Sequence, residues 1–222
     1  MKNLLPFRHK SDLSEKLNLI PFPNNIAWNG SIIYLDRDGV LNIGSENYIN
    51  SPEELQLLPN VGDCLVRLRN EGYRICLVTN QSPINRGLWG HEMLEKIHDK
   101  LILDLKKQNQ EAYLDLILYS PYTPYEDSIS RKPYPGMLWA GNVIINASEL
   151  GLSPYIPPNM VNNLASILYS EGVNSAMVGD RIVDYKAGIA YGIRSFLVDA
   201  DIGLSHVIDR ILDKNDKGDV LH

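Results

Sequence analysis

The feature that most constrains this chain is a rhythm. Short apolar runs break off into polar residues, and each is followed by a helical stretch. Ser31–Leu35 ends in Asp36-Arg-Asp-Gly, and a helix near Val61–Glu71 follows, with Val61, Cys64, Leu65 and Leu68 on one face and Gly72 to close it. Arg74–Val78 ends in Thr-Asn-Gln, before a helix over about 90–108 with Met93, Ile97, Leu101 and Leu105 at helical spacing. Leu114–Tyr119 opens into a loop rich in proline and tyrosine, and a helix runs from Gly136 to about Leu150. Ser175–Val178 ends in Gly-Asp-Arg, a helix lies near Tyr185–Tyr191, and a last run, Ser195–Val198, follows Gly192. Apolar runs without alternation are strands buried on both faces. Their alternation with helices predicts a doubly wound α/β fold with a mostly parallel sheet. Right-handed crossovers then put the carboxyl ends of the strands on one edge, where such sheets bind ligands.

We expect one domain over 31–222, preceded by an extension, 1–30, that contains Pro6, Pro21 and Pro23 and either wraps the domain or is partly loose. An insert at about 151–174, with Pro154, Pro157, Pro158 and an apolar-periodic piece Met160–Tyr169, interrupts the rhythm. It falls at the amino end of the sheet, away from the ligand edge, and reads as extra packing rather than an interface. The charged tail Asp213–His222 reads as frayed.

Four strands deliver chemistry to one edge: Asp36 and Asp38, then Thr79 and Asn80, then Arg131 and Lys132, then Asp180 with Arg181 and Asp184. Each piece alone has an ordinary explanation. Asp-x-Asp-Gly is a common turn, Thr-Asn-Gln can cap a helix, and Lys132 can be a surface lysine. A calcium loop fails because Gly39 follows Asp38 directly and Val40 stands where another oxygen ligand is needed. Four such pieces in order, each ending an apolar run, are hard to obtain by chance.

The net charge of −6 argues against long nucleic acids, which need a basic surface, but leaves room for a small phosphorylated substrate held by a few cations. Cys64 and Cys76 form no Cys-x-x-Cys pair and read as reduced, buried thiols. No apolar stretch approaches the roughly 20 residues of a membrane span, and the N-terminus lacks a signal-peptide apolar run, so a cytoplasmic protein is expected, monomeric or a small homo-oligomer.

Leu-Asp-Arg-Asp-Gly-Val-Leu-Asn (35–42), Val-Thr-Asn-Gln-Ser (78–82), Arg-Lys-Pro-Tyr-Pro-Gly-Met (131–137) and Met-Val-Gly-Asp-Arg-Ile-Val-Asp (177–184) resemble the four motifs of the haloacid-dehalogenase (HAD) superfamily. The resemblance is greatest to the branch of the D,D-heptose 1,7-bisphosphate and histidinol-phosphate phosphatases, and it covers about residues 31–200 without the insert. It implies a Rossmann-like HAD fold and a Mg²⁺-dependent phosphomonoester hydrolase, with a heptose bisphosphate as the leading substrate. Histidinol phosphate, another small phosphomonoester, a polynucleotide 3′-phosphate, or a non-catalytic binding role on the same fold are the alternatives. It further implies Asp36 as nucleophile and Asp38 as general acid and base. Thr79, the backbone after Asp36 and Lys132 would hold the phosphoryl oxygens, and Asn80 would position the substrate or Asp38. Mg²⁺ would sit on Asp36, the carbonyl of Asp38 and Asp180, with Asp184 orienting them. Arg131, Arg86 and Arg181 are candidates for further anionic substrate groups, although Arg86 reads equally well as one side of a surface salt bridge.

Two departures matter. That branch usually carries a zinc site in the loop before Arg-Lys-Pro. Here its four ligand positions read Ser120, Tyr122, Ser128 and Ser130, which are not credible zinc ligands, so no structural zinc is expected. Tyr119, Tyr122, Tyr125 and Tyr134, with the intervening prolines, either stiffen the loop by packing or rim the pocket. The segment Ile43–Pro59 is too short for a large cap domain, so the site should be open and shaped by loops.

Overall fold

The structure is a computed structural model and describes residues 2–159 and 169–221. The strands are β1 (Phe7–Arg8), β2 (Ile32–Leu35), β3 (Arg74–Asn80), β4 (Leu116–Ser120), β5 (Ala176–Gly179) and β6 (Arg194–Leu197). The helices among the described residues are α1 (Val61–Asn70), α2 (His91–Gln108), α3 (Gly136–Glu149), α4 (Ile182–Tyr191) and α5 (Ile208–Leu212).

The sheet order is β1-β4-β3-β2-β5-β6, with every pairing parallel except β1 with β4. The chain starts this order at β2, steps outward through β3 to β4, then returns to the other side of β2 for β5 and β6. The topological switch point therefore lies between β2 and β5, where Ile33, Tyr34 and Leu35 register with Ala176, Met177 and Val178.

Successive strand residues feed opposite layers, as a pleat requires. Ile33, Leu35, Ile75 and Leu77 join α1, α2 and α5 in one core, while Ile32, Tyr34, Cys76 and Val78 join α3 and α4 in the other. Two buried faces explain why these strands read as continuous apolar runs. Gly72 ends α1 as its position suggested: it adopts φ 78°, and a Cβ there would come 2.6 Å from the Ala27 carbonyl oxygen. Both cysteines are free and buried; burial pushes the Cys64 thiol up to about 11 and raises Cys76 as well.

The extension wraps the domain. Its residues Phe7 and Arg8 form the antiparallel edge strand β1, and the backbone carbonyls of Ile20 and Pro21 accept hydrogen bonds from Arg69 and Arg74. The tail differs from expectation. Asp219 donates its N–H to Ser195 O and takes the Leu197 N–H on its side chain, while Arg210 pairs with Asp216 and Asp219. These bonds lay residues 216–219 along β6 and satisfy part of that edge strand. The periodic piece Met160–Tyr169 lies outside the described residues up to 168. Nearby, the Glu171 carboxylate takes bonds from Tyr34, Asn142, Ser175 and Tyr191. No helix among the described residues is long and apolar enough to cross a membrane.

Candidate active site

All ten residues singled out from the sequence line one cleft of about 690 Å³ at the carboxyl edge of the sheet: Asp36, Asp38, Thr79, Asn80, Arg86, Arg131, Lys132, Asp180, Arg181 and Asp184. Asp36 directly follows β2 and its N–H bonds Val178 O of β5 at 2.9 Å, so the first carboxylate stands at the switch point itself. The chain then turns tightly. Arg37 O accepts from the Leu41 and Asn42 N–H groups, and Gly39 sits at φ 73°. A Cβ at Gly39 would lie 2.6 Å from the Asp180 carboxylate, so this turn needs glycine for two reasons.

Lys132 is the hub. It is 2% exposed, and its ammonium reaches Asp36 Oδ1 at 2.8 Å, Asp184 Oδ1 at 2.7 Å and Val78 O at 2.8 Å. Burial alone would lower the Lys132 pKa, but Asp184 and Asp36 overcome it and hold the ammonium above its usual range. The carboxylates remain in excess. Burial pushes Asp36 up to about 6 against the pull of Lys132, with Asp184 and Asp38 adding to the push. Burial and the neighbouring Asp36 likewise push Asp180 up to about 6.

Asp38 behaves differently. Burial would raise it, but the buried Arg37 guanidinium forks onto its carboxylate at 3.0 and 3.1 Å, Asn42 Nδ2 donates at 2.9 Å, and together with Gln81 they hold it below its usual range. Two carboxyl groups two residues apart are thus shifted in opposite directions.

Asp36, Asp180 and Asp184 each offer a carboxylate oxygen, and all three lie within 4.8 Å of one another. Asp180 Oδ1 is buried with no hydrogen-bond partner. An all-oxygen set with an orphaned anionic atom fits a hard divalent cation such as Mg²⁺. The third carboxylate of this trio is Asp184, held by Lys132 and by the Arg181 N–H at 3.1 Å, whereas the Asp38 carboxylate faces Arg37 and stands apart.

Two side chains have partners that differ from the expected ones. The Asn80 amide bonds the Lys132 backbone at both ends, donating to its carbonyl at 3.0 Å and accepting its N–H at 3.1 Å. Its neighbour Gln81 reaches Thr79 Oγ1 at 2.8 Å and Asp38 at 3.4 Å. Arg131 donates to Tyr122 O at 2.8 Å; burial lowers its pKa, and Arg181 and Arg86 repel it further. None of these three arginines is in an ion pair among the described residues.

None of the tyrosines around the loop before Arg131 lines the cleft: Tyr122 bonds Leu5 O, Tyr134 bonds Asp127, Tyr119 bonds His91, and Tyr125 is 91% exposed, so only some of them pack. The tyrosine that lines the cleft is Tyr48, with its backbone in the left-handed region at φ 66°, a rare state for an aromatic residue. Asn50 holds that bend, bonding the carbonyls of Asn47 and Tyr48 and accepting from Trp89. A lone tyrosine in a polar loop gave no signal that could have singled it out.

No family model matches the chain. Individual proteins do. It is 34% identical over 167 residues to D-glycero-beta-D-manno-heptose-1,7-bisphosphate 7-phosphatase of Pseudomonas putida, covering 75% of this chain and 81% of that one. It is 38% identical over 108 residues to the enzyme of the same name from Pseudomonas aeruginosa, where it spans 60% of that protein's length. The crystal structure of D,D-heptose 1,7-bisphosphate phosphatase from B. bronchiseptica, complexed with magnesium and phosphate, superposes with a TM-score of 0.58 at 29% identity, covering 81% of this chain and 86% of that one. The fold is that of the HAD-like phosphatases. Within them the chain belongs to the family of the heptose-1,7-bisphosphate 7-phosphatases, hydrolases of phosphoric monoesters.

Proposed function

We propose that this chain is a cytoplasmic, Mg²⁺-dependent phosphatase that removes one phosphate from a sugar bisphosphate, heptose 1,7-bisphosphate above all, through an aspartyl-phosphate on Asp36. The observation that carries this reading is the buried Lys132 ammonium bridging Asp36 and Asp184 beside an orphaned Asp180 oxygen. Lys132 and the Arg37 N–H both hold Asp36 Oδ1, which orients the carboxylate for attack on phosphorus. In the first half-reaction Asp36 forms the bond to phosphorus as the ester oxygen leaves with the Asp38 proton. In the second, Asp38 takes a proton from the water that attacks the phosphoryl group, and Asp36 is released. The resting Asp38 favours its charged form, and a dianionic phosphate arriving beside it would raise its affinity for a proton at the moment one is needed.

Asp36, the Asp38 carbonyl and Asp180 would hold Mg²⁺, with the Asp184 carboxylate beside them orienting the set, and the ion would cancel the repulsion between an anionic nucleophile and an anionic ester. Three arginines in no ion pair among the described residues, Arg86, Arg131 and Arg181, supply the charge to hold a second anionic group at the cleft rim. That pattern fits a bisphosphate better than a simple monoester. The relatives named above are heptose-bisphosphate phosphatases, which points to the sugar. We also propose that the loop over 120–130 holds no zinc, since Ser128 and Ser130 bond each other and Tyr122 bonds a backbone carbonyl.

The test is phosphate release with Mg²⁺ from heptose 1,7-bisphosphate, hexose bisphosphates, histidinol phosphate and a 3′-phosphorylated oligonucleotide. The heptose bisphosphate should turn over fastest, and Asp36→Asn should lose at least about a thousandfold. Equal rates across the panel would refute the substrate assignment, and an active Asp36→Asn would refute the mechanism.

A further inference from the structure

We infer that the first residues of the chain are part of the active site's construction: the segment 2–9 braces the loop over 120–131 and, through Tyr122, sets the position of Arg131. The contacts form a continuous ladder. The Lys2 N–H donates to Asp127 O at 2.6 Å, and the Ile129 N–H donates to Lys2 O at 3.0 Å. Ser128 Oγ donates to Leu4 O at 3.0 Å and Tyr122 OH to Leu5 O at 2.9 Å. Phe7 and Arg8 pair with Tyr119 and Leu118, and the His9 N–H donates to Ile117 O at 3.1 Å. The Phe7 ring stacks on Tyr119 at 5.7 Å and meets His91 at 4.7 Å and Tyr122 at 6.4 Å.

Tyr122 is the pivot. Its hydroxyl is tied to the extension, while its carbonyl accepts from Arg131 Nη1 at 2.8 Å. Arg131 is followed directly by Lys132, and the loop continues into α3 through the Gly136 N–H to Ile129 O bond at 3.0 Å. The loop has no strand or α-helix of its own between β4 and α3; it holds a short 3-10 helix over Pro124–Glu126, a few turns, and a bridge from Ser128 to Lys2. Without the extension, Ser128 and Tyr122 would lose their backbone acceptors, and Ser128 and Ser130 are both fully buried. Tyr122 is therefore a positioning residue: it touches no reacting atom and acts through Arg131. The inference rests on the reading of Arg131 as a binder of the substrate's second anionic group.

Two measurements on the full chain separate the brace from that reading. The first is amide hydrogen exchange of Tyr122→Phe and of Phe7→Ala, which needs no substrate. Amides over 121–131 should exchange about tenfold faster while those of β2, β3 and β5 do not change. The second is steady-state kinetics of Tyr122→Phe. KM for heptose 1,7-bisphosphate should rise about threefold to tenfold, the ratio one hydrogen bond governs, with kcat within twofold and the KM for p-nitrophenyl phosphate unmoved. Unchanged exchange overturns the brace. Faster exchange with an unmoved bisphosphate KM, or with equal KM rises on both substrates, overturns the link to Arg131. If the wild type leaves the bisphosphate untouched, the functional reading has failed, and the exchange result alone decides for or against the brace.

Discussion

The two ends of the sheet each bury an ionic cluster, and they are built to opposite ends. At the amino edge, Asp115 Oδ1 accepts from Arg69 and Arg74 at 3.0 and 2.8 Å, and Oδ2 takes the Ile75 N–H at 2.8 Å. Arg74 also pairs with Glu149, both guanidiniums donate to Ile20 O, and both lie over the Phe22 ring. Burial raises the Asp115 carboxyl, offset in part by Arg74 and Arg69. Each oxygen of that carboxylate has a partner, so the cluster is closed. At the carboxyl edge three carboxylates lie together, one lysine pairs with two of them, Asp36 and Asp184, and Oδ1 of the third, Asp180, has no hydrogen-bond partner. Residue types are similar at the two ends. Charge balance and satisfaction decide that one is structure and the other a site, because an uncompensated buried charge is tolerated only where something else will meet it.

Removing the cation from the open cluster should have the largest effect. Lys132→Met leaves Asp36 and Asp184 buried without a counter-ion, and should cost about 4 kcal/mol of stability in chelator, measured by urea denaturation. Added Mg²⁺ should restore much of that loss while turnover stays at least about a hundredfold down. At the closed end, Asp115→Asn should cost about 3 kcal/mol by leaving two guanidiniums underpaired. Mg²⁺ should not restore it, and activity per folded molecule should hold. If Mg²⁺ rescued both variants alike, the contrast between the two ends would be wrong.

Next in size is the metal effect on the wild type. At a hundredfold excess over its Kd, Mg²⁺ should add about 2.7 kcal/mol, seen as a rise in thermal midpoint. Asp180→Asn should lose that rise, yet be no less stable than wild type in chelator, because it removes a repulsive neighbour of Asp36. A metal-dependent rise that survives Asp180→Asn would move the ion elsewhere.

The smallest effect belongs to a buried group with no compensation. His98 is fully buried, neither ring nitrogen has a hydrogen-bond partner, and burial, with Arg37 and His9 nearby, holds its pKa well below 6.5. Its folded pKa is depressed, so below about pH 6.5 the unfolded chain takes up a proton that the native one excludes, and stability falls as pH falls. His98→Leu should remove up to about 1.4 kcal/mol per pH unit from that slope between pH 6 and 5. An unchanged slope would mean that His98 protonates in place.

Much of this was legible beforehand. Leu35-Asp-Arg-Asp-Gly39 and its three partner motifs announced themselves because a strand end, a turn and a charge fall within a few consecutive residues. What escaped was short or shared. Strand β1 has two residues, too few for any period to show, and the tail's order depends on the free edge of β6 beside it. Gln81 and Asn80 are adjacent amides of nearly equal chemistry, and only the position of the Lys132 backbone decided which one reaches Asp38.

The sequence by itself determined the alternation of β2 to β6 with α1 to α4 and the polar residues that follow those strands. Those properties are local: they follow from hydrophobic period, turn preference and side-chain type within a few residues. Only the tertiary structure decided that Asp180 is left with an orphaned oxygen while Asp115 is satisfied, and that a segment over a hundred residues upstream holds the loop of Arg131. Burial, charge balance and long-range hydrogen bonds are sums over residues distant in the chain, and a linear pattern does not contain them.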